Sequence, residues 1–378
     1  MWPRSRRRCG GRGVFRSSLG AARSAESKAN ELNTTTAATA IAASDATREH
    51  TGVVIPVYFP PGGDRSLGES LLRDNVAACV RQLADPARLC LSVDGADCGG
   101  EIAEELSAHL GVDYQVAPAN KGKLHAVRNG MASLIERREL QFFAVIDSDG
   151  DHFANELPNL LRAVLHARVP VPNREVMVLG RRISLHRPLG FLRGELEELA
   201  DRVLLDALAY DAVLTDAPLR LEGATTLDEV PDFHSGYKLF SRGAVEATFL
   251  RNPELCGLGE VAYFRHACEA VMVVEALKGG AFLAVVNRST MNEQPLTTFG
   301  QLDRVRLVAD KIIWPCRRLG VPAHFAEQWL RNHMPRLQLN SLAPQGREEL
   351  VQIGKLVLDG LGAGPVDDAG LVWGPQFL

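Results

Sequence analysis

From Gly52 onward, short apolar runs alternate with amphipathic stretches, the pattern expected of repeated strand-helix units around a mostly parallel sheet. Candidate strands fall at residues 53–57, 89–93, 113–116, 142–146 and 176–179. Between them, Leu72, Val76, Val80 and Leu83 recur at helical spacing, as do Leu124, Val127, Met131 and Leu134, and then Leu157, Leu161, Val164 and Leu165. Each of these stripes is expected to face the sheet. A longer helix over 192–210 carries Leu192, Leu196, Leu199, Val203 and Ala207, and it is followed by a strand at 237–240, a helix at 261–277 and a strand at 282–286. The spacing beyond residue 300 is helical. The expected organisation is thus a leader over 1–49, an α/β domain over 50–300 and a helical C-terminal appendage over 301–378.

The 378 residues are 46% hydrophobic and 23% charged, which fits a globular chain with a sizeable core and excludes a disordered or fibrous one. The net charge of −4 hides an asymmetry: residues 1–30 hold eight Lys/Arg and one acidic residue, so the other 348 carry 34 basic and 45 acidic side chains. An acidic body argues against nucleic acid as a partner. The leader reads as basic and disordered, able to touch an anionic membrane surface peripherally. Arg6, Arg7 and Arg8 are not followed by the apolar stretch of a secretory signal. Leu32 to Ser44 is an uncharged stretch of only 13 residues, rich in Thr and Ala, so no transmembrane segment is expected. Seven scattered cysteines with no CxxC pair point to a reducing, cytoplasmic setting without structural zinc.

The sharpest chemical feature is FFAVIDSDGDH, where an apolar strand runs directly into Asp147, Ser148, Asp149, Gly150, Asp151 and His152. Open α/β sheets bind ligands beyond the carboxyl ends of their strands. Three alternating carboxylates there repel one another unless a cation lies between them, and hard oxygen donors suit Mg²⁺ or Mn²⁺, which can also bridge a substrate diphosphate. The plainer reading is a solvated turn capping the next helix. The first strand ends at Pro56 and Val57, and the second at Asp94 in LSVDGAD, either a ligand for a base or ribose edge or a turn residue. NKGKLHAVRNGM supplies Lys121 and Lys123 around a glycine at a helix start, which suits a phosphate-bearing ligand, although it is not a Walker A loop. No GxGxxG follows a strand, which disfavours a nicotinamide enzyme. Arg181 and Arg182 follow the run at 176–179, either as phosphate ligands or as a surface pair.

In order, these segments resemble glycosyltransferase family 2, and within it the dolichol-phosphate mannosyltransferase-like group. VVIPVYF is similar to the family's opening strand, DSDGDHFANELPNLL to its DxDxxH segment, LGRR to its Gly-x-Arg strand end and PDFHSGYKLFSR to its Asp-x-x-Ser-Gly-aromatic segment. The match spans about residues 53–286. The resemblance implies a GT-A fold, a nucleotide-diphospho-sugar donor, a divalent metal and inverting transfer to a polyprenyl phosphate. By position, Pro56, Val57 and Asp94 would hold the nucleoside, and Asp147 would lie beside the ribose and diphosphate. Asp149 and Asp151 would complete the metal site with Asp147, and Arg182 would face phosphate. Ser235 and Gly236 would shape the sugar and acceptor pocket, with Asp232 on the approach to it. The family often has two adjacent Asp after its second strand and Gln at the third metal position, where this chain has Gly95 and Asp151. The NRSTMNEQPLTTF segment offers Arg288 but no Ser-Lys pair.

Glu260 is the remaining acid: in members with soluble hydroxyl acceptors an acidic residue near this place acts as general base, and the alternative is a helix N-terminal Glu favoured by the dipole. His152 and His234 read as structural or as phosphate donors. Alternatives to transfer onto a lipid phosphate are transfer onto a soluble hydroxyl, a sugar-nucleotide pyrophosphorylase, for which YFPPGGDRS is a poor signature, and an inactive nucleotide-sugar binding protein.

Overall fold

The computed structural model describes residues 39–60, 62–224, 230–291 and 303–364. The compact body is Ala43–Leu378; of the smaller unit, Met1–Ala42, only the helical residues 39–42 are described, and the basic part of the leader lies outside the described residues.

Seven strands form one sheet: β1 (Thr51–Val57), β2 (Leu89–Val93), β3 (Asp113–Val116), β4 (Phe142–Val145), β5 (Val176–Arg182), β6 (Lys238–Ser241) and β7 (Phe282–Arg288). Their spatial order is β3-β2-β1-β4-β6-β5-β7. All pairings are parallel except those of β6, which runs antiparallel to β4 and β5. The mixed α/β class and the mostly parallel sheet are as expected. Every residue of β1 is buried, because helices cover both faces and a solvent-facing alternation is not needed. Successive side chains feed opposite cores: Val54 joins one cluster, Val53, Ile55 and Val57 the other.

The helices of the body are α1 (residues 43–50), α2 (Arg65–Val80), α3 (Gly100–Leu110), α4 (Lys123–Leu134), α5 (Leu157–Arg168), α6 (His186–Leu189), α7 (Phe191–Leu214), α8 (Arg242–Val245), α9 (Cys268–Lys278), α10 (Arg304–Arg318), α11 (Ala323–His333), α12 (Leu339–Leu342) and α13 (Gly346–Gly360). One core holds α4, α7, α9, α10 and α13, the other α2, α3 and α5. None of the described helices is long and apolar enough to cross a membrane. The six described cysteines are unpaired.

Four expectations are corrected. The body starts before residue 50, since Ala43 and Ala46 are buried in the second core; an Ala and Thr run has no large side chains to reveal such a stripe. The strand at 176–179 continues to Arg182, because pairing with β7 runs on to Arg182 opposite Arg288. The helix expected over 261–277 is broken by a π-helical turn at Ala262–His266 ahead of α9, with the Ala267 N–H bonded to the Ala262 carbonyl at 2.8 Å. Finally, the C-terminal region is no appendage: Val308, Ile312 and Trp314 of α10 and Ile353 and Val357 of α13 are completely buried in the first core. Spacing shows that a helix has an apolar face but not which surface it covers.

The fit of α4 on β1 rests on Gly130, where a Cβ would lie 2.6 Å from Val54 Cγ1. Gly130→Ala is therefore expected to destabilise by about 1–3 kcal/mol through overpacking, despite the better helix propensity of alanine. Urea denaturation measures this, and an unchanged or raised midpoint would show that the helix can shift without cost.

Candidate functional site

A cleft of about 380 Å³ opens where β1, β2 and β4 end. Pro56 and Val57 and the residues after them border it on one side, Asp94, Gly122 and Lys123 come from the β2 end and the start of α4, and Asp147, Ser148 and Asp149 follow β4. The other wall is built from Arg193 and Glu197 of α7, Glu269 of α9 and Leu307 and Lys311 of α10.

Lys123 is the hub. Its ammonium lies 2.7 Å from Asp147 Oδ1, 2.9 Å from Asp147 Oδ2 and 3.1 Å from Glu269 Oε1. Burial alone would lower its pKa, but the two carboxylates hold it well above the usual lysine range. Burial pushes Asp147 the other way, yet Lys123 and then His152 keep it well below the carboxylate range. Glu269 is likewise pulled down to about 2 against burial by Lys123, Lys311 and Lys238. Asp149 goes the other way: burial first, then the charge of Asp147, outweigh the Asp151 N–H and Lys123 and push it up to about 7.

This hub needs a glycine behind it. A Cβ on Gly236 would lie 2.4 Å from Asp147 Oδ2 and 2.9 Å from Lys123 Nζ, so the backbone of Gly236 forms the floor under the pair. His152 supports Asp147 from below. Its Nδ1 accepts the Asp147 N–H at 2.8 Å and its ring stacks on Tyr237 at 4.9 Å, while burial holds it well below its usual pKa and therefore neutral. The Asn75 amide donates to the Asp147 carbonyl at 2.7 Å.

Asp94 borders the cleft, but its two oxygens accept the N–H groups of Lys121 at 3.0 Å and Gly122 at 2.7 Å. It thereby pins the loop that starts α4. That loop needs glycine at 122, where φ is +126° and a Cβ would lie 2.4 Å from Arg265 Cγ.

Other expected site residues are not brought to the cleft. Asp151 turns back to Arg288, with both guanidinium nitrogens 3.1 Å from its Oδ2 and the Met291 N–H 2.8 Å from Oδ1, so the third carboxylate locks β4 to β7 instead of joining Asp147 and Asp149. Arg182 is buried and faces carboxylates, 2.5 Å from Asp232 Oδ1 and 2.9 Å from Glu197 Oε2, which leaves Asp232 spent on the same pair. Ser235 donates to the Gly180 carbonyl at 2.6 Å, and His234 Nδ1 lies 2.6 Å from Asp201 Oδ1; both are interior. Glu260 stays on the surface, its side chain 57% exposed and 3.3 Å from the Lys121 ammonium.

The cleft also contains residues that sequence reading missed: Glu269, Glu197, Arg193, Arg265 and Lys311. The available signal was charge inside apolar stretches, Glu269 ahead of AVMVV and Lys311 ahead of IIW, with Leu307 and Lys311 one turn apart on a single helix face.

Among the described residues no group of three or more His, Cys, Asp or Glu side chains is arranged to hold a metal ion. The donor set fits Mg²⁺ or Mn²⁺ in a narrower form: burial and then the charge of Asp147 raise Asp149, a cation would relieve both, and Mg²⁺ is commonly held by one or two carboxylates together with substrate phosphates.

No protein-family model and no curated protein sequence matches the chain. Among solved structures it is similar to S. aureus TarS 1-349, at 11% identity over 82% of this chain and 81% of that one, with a TM-score of 0.42. It is also similar to a mycobacterial protein, at 18% identity over 75% and 79% of the two chains with a TM-score of 0.42. A third is the 4-diphosphocytidyl-2C-methyl-D-erythritol synthase of Anaerococcus prevotii, at 9% identity over 70% and 97% with a TM-score of 0.35.

Proposed function

We propose that this protein is a GT-A glycosyltransferase that takes a sugar from a nucleotide-diphospho-sugar with the help of Mg²⁺ or Mn²⁺ and passes it, with inversion, to a polyprenyl phosphate. The observation that carries the reading is the cleft at the ends of β1, β2 and β4, with Asp147 and Asp149 at its edge and Lys123 beside them. In the transfer, an acceptor oxygen bonds to the anomeric carbon as the bond from that carbon to the diphosphate breaks, and the electron pair leaves with the nucleoside diphosphate. Pro56 and Val57 would border the nucleoside, and the loop pinned by Asp94 would fix where its phosphates lie. The cation, held by Asp149 and Asp147, would neutralise the departing diphosphate.

The acceptor reading follows from the acids on hand. A hydroxyl needs a base to take its proton, whereas a phosphate is already anionic. Glu269 is held ionised by lysines and is a weak base, and Glu260 lies outside the cleft lining. Glu260→Gln is accordingly expected to leave kcat within about threefold, where loss of a general base would cost roughly 10² to 10⁴. A loss of that size, seen with a water-soluble alcohol as acceptor, would move the assignment to a hydroxyl acceptor with Glu260 as base.

A pyrophosphorylase has one observation in its favour, since Gly63 and Arg65 border the cleft, but the Arg65 guanidinium is engaged by Glu69 at 2.8 Å and Glu101 at 2.6 Å. Calorimetric titration with a panel of nucleotide-sugars, with and without Mn²⁺, tests the main reading. Binding of one of them, tightened by Mn²⁺, is expected. Absence of binding across the panel would end it, and pyrophosphate release from a nucleoside triphosphate and a sugar phosphate would favour the pyrophosphorylase.

A further inference from the structure

We propose that Lys311, on α10, is the anion-binding group of the acceptor subsite and receives a phosphate carried by the acceptor at the wall formed by α7 and α10. The inference rests on the transferase reading and adds a residue from a part of the chain outside every segment that suggested that reading.

Leu307 and Lys311 both line the cleft, so this face of α10 is turned into it. Lys311 is 6% exposed, and among the described residues its ammonium has one contact, Glu197 Oε1 at 3.5 Å, the long limit of a hydrogen bond. That carboxylate is shared: Glu197 also accepts from Arg182 at 2.9 Å and from Arg193 at 2.9 Å. An ammonium carries three N–H donors, so a buried lysine with one long contact is under-satisfied, and such a charge is costly to bury unless a further acceptor reaches it. The cleft is the side from which that acceptor can come.

The chemistry favours phosphate. Lysine presents a compact charge with three rotatable donors, which suits a terminal phosphate without demanding a fixed planar geometry. Lys123, nearer the strand ends, is already committed to Asp147 and Glu269, so it does not compete for the same anion. Glu197 and Arg193 are then positioning residues. Their pairing, with Arg182 and Asp232 behind it, holds the far wall where Lys311 emerges.

The test is calorimetric titration of the full chain with inorganic phosphate, in the presence of saturating UDP or GDP and Mn²⁺ so that the donor side is filled. Wild type should bind phosphate, and Lys311→Met should weaken it by roughly 10- to 100-fold, the loss of one charge-assisted hydrogen bond, while nucleotide affinity stays within about twofold. Lys311→Arg, which keeps the charge, should bind phosphate within about threefold of wild type. Two further arms separate the sources: sn-glycerol 3-phosphate as a soluble ester, and phosphatidylcholine vesicles with and without polyprenyl phosphate. Lys311-dependent binding in either arm supports the proposal and names the source. Phosphate binding that is absent in wild type, or unchanged in Lys311→Met, overturns it; if the methionine variant fails to fold, Lys311→Gln makes the same comparison. A chain that binds no nucleotide but binds phosphate through Lys311 would overturn the transferase reading alone, and one that binds nucleotide-sugars with Lys311-independent phosphate binding would overturn this inference alone.

Discussion

Asp149→Asn is expected to reduce sugar transfer by roughly 10² to 10³ while leaving the fold intact, the loss corresponding to about 3–4 kcal/mol of stabilisation of the departing diphosphate. The argument is one of charge and not of shape. Asp149 Oδ1 accepts the Asp151 N–H at 3.2 Å, and an asparagine oxygen can take over that bond. What it cannot supply is the second carboxylate next to Asp147, where burial and then the charge of Asp147 raise Asp149 to about 7. Because repulsion by Asp147 disappears, the variant should be as stable as wild type at pH 7 or slightly more so. Turnover measured across a Mn²⁺ series should show half-activation of the variant at a higher Mn²⁺ concentration than wild type needs, and EDTA should silence wild type. Full wild-type activity in EDTA would sink the metal-dependent mechanism, whatever the variant does.

How much of this was legible beforehand depended on whether a feature is local. The limits of β2 match its apolar run, because burial on both faces leaves a continuous signal bounded by turn residues. Asp147, Asp149 and Lys123 could be picked out as chemistry at a strand end and a helix start, since both are local facts. Partner choice is not local. Nothing near Arg182 announces that it meets Asp232 and Glu197, 50 and 15 residues away, or near Asp151 that Arg288 waits 137 residues on. The same reason hid Glu269 and Lys311: a charge in an apolar helix reads as a blemish until the fold turns it into a cleft. Asp94 is the intermediate case, at the cleft yet holding a loop with both oxygens.

Lys123→Met should cost stability in a way that depends on pH, and the sign follows from the pair it breaks. In wild type, Glu269 titrates near 2 in the fold against about 4.5 when unfolded. A depressed carboxylate pKa contributes stability that is present above the unfolded value and is lost as pH falls through the folded one. On the scale of 1.36 kcal/mol per pKa unit this is at most about 3 kcal/mol, shared among Lys123, Lys311 and Lys238. Asp147 is lowered in the same direction by Lys123, so the contribution of these two acids to wild-type stability should decline as pH falls below about 4.5. Removing Lys123 leaves Asp147 and Glu269 facing a methyl group, two half-buried carboxylates with their main counter-charge gone. Breaking one side of a fully buried pair costs about 3–5 kcal/mol, and half-burial in the cleft cuts this to about 1–3 kcal/mol. Both acids then rise towards or above their unfolded values, so acidification relieves the variant at the two acids where it costs wild type its ion pairs. Urea denaturation at pH 7, 5 and 4 should therefore show a large deficit at pH 7 that narrows steadily as the pH falls. A deficit of constant size at all three would mean that Lys123 acts through packing, and the ion-pair account of the cleft would have to be abandoned.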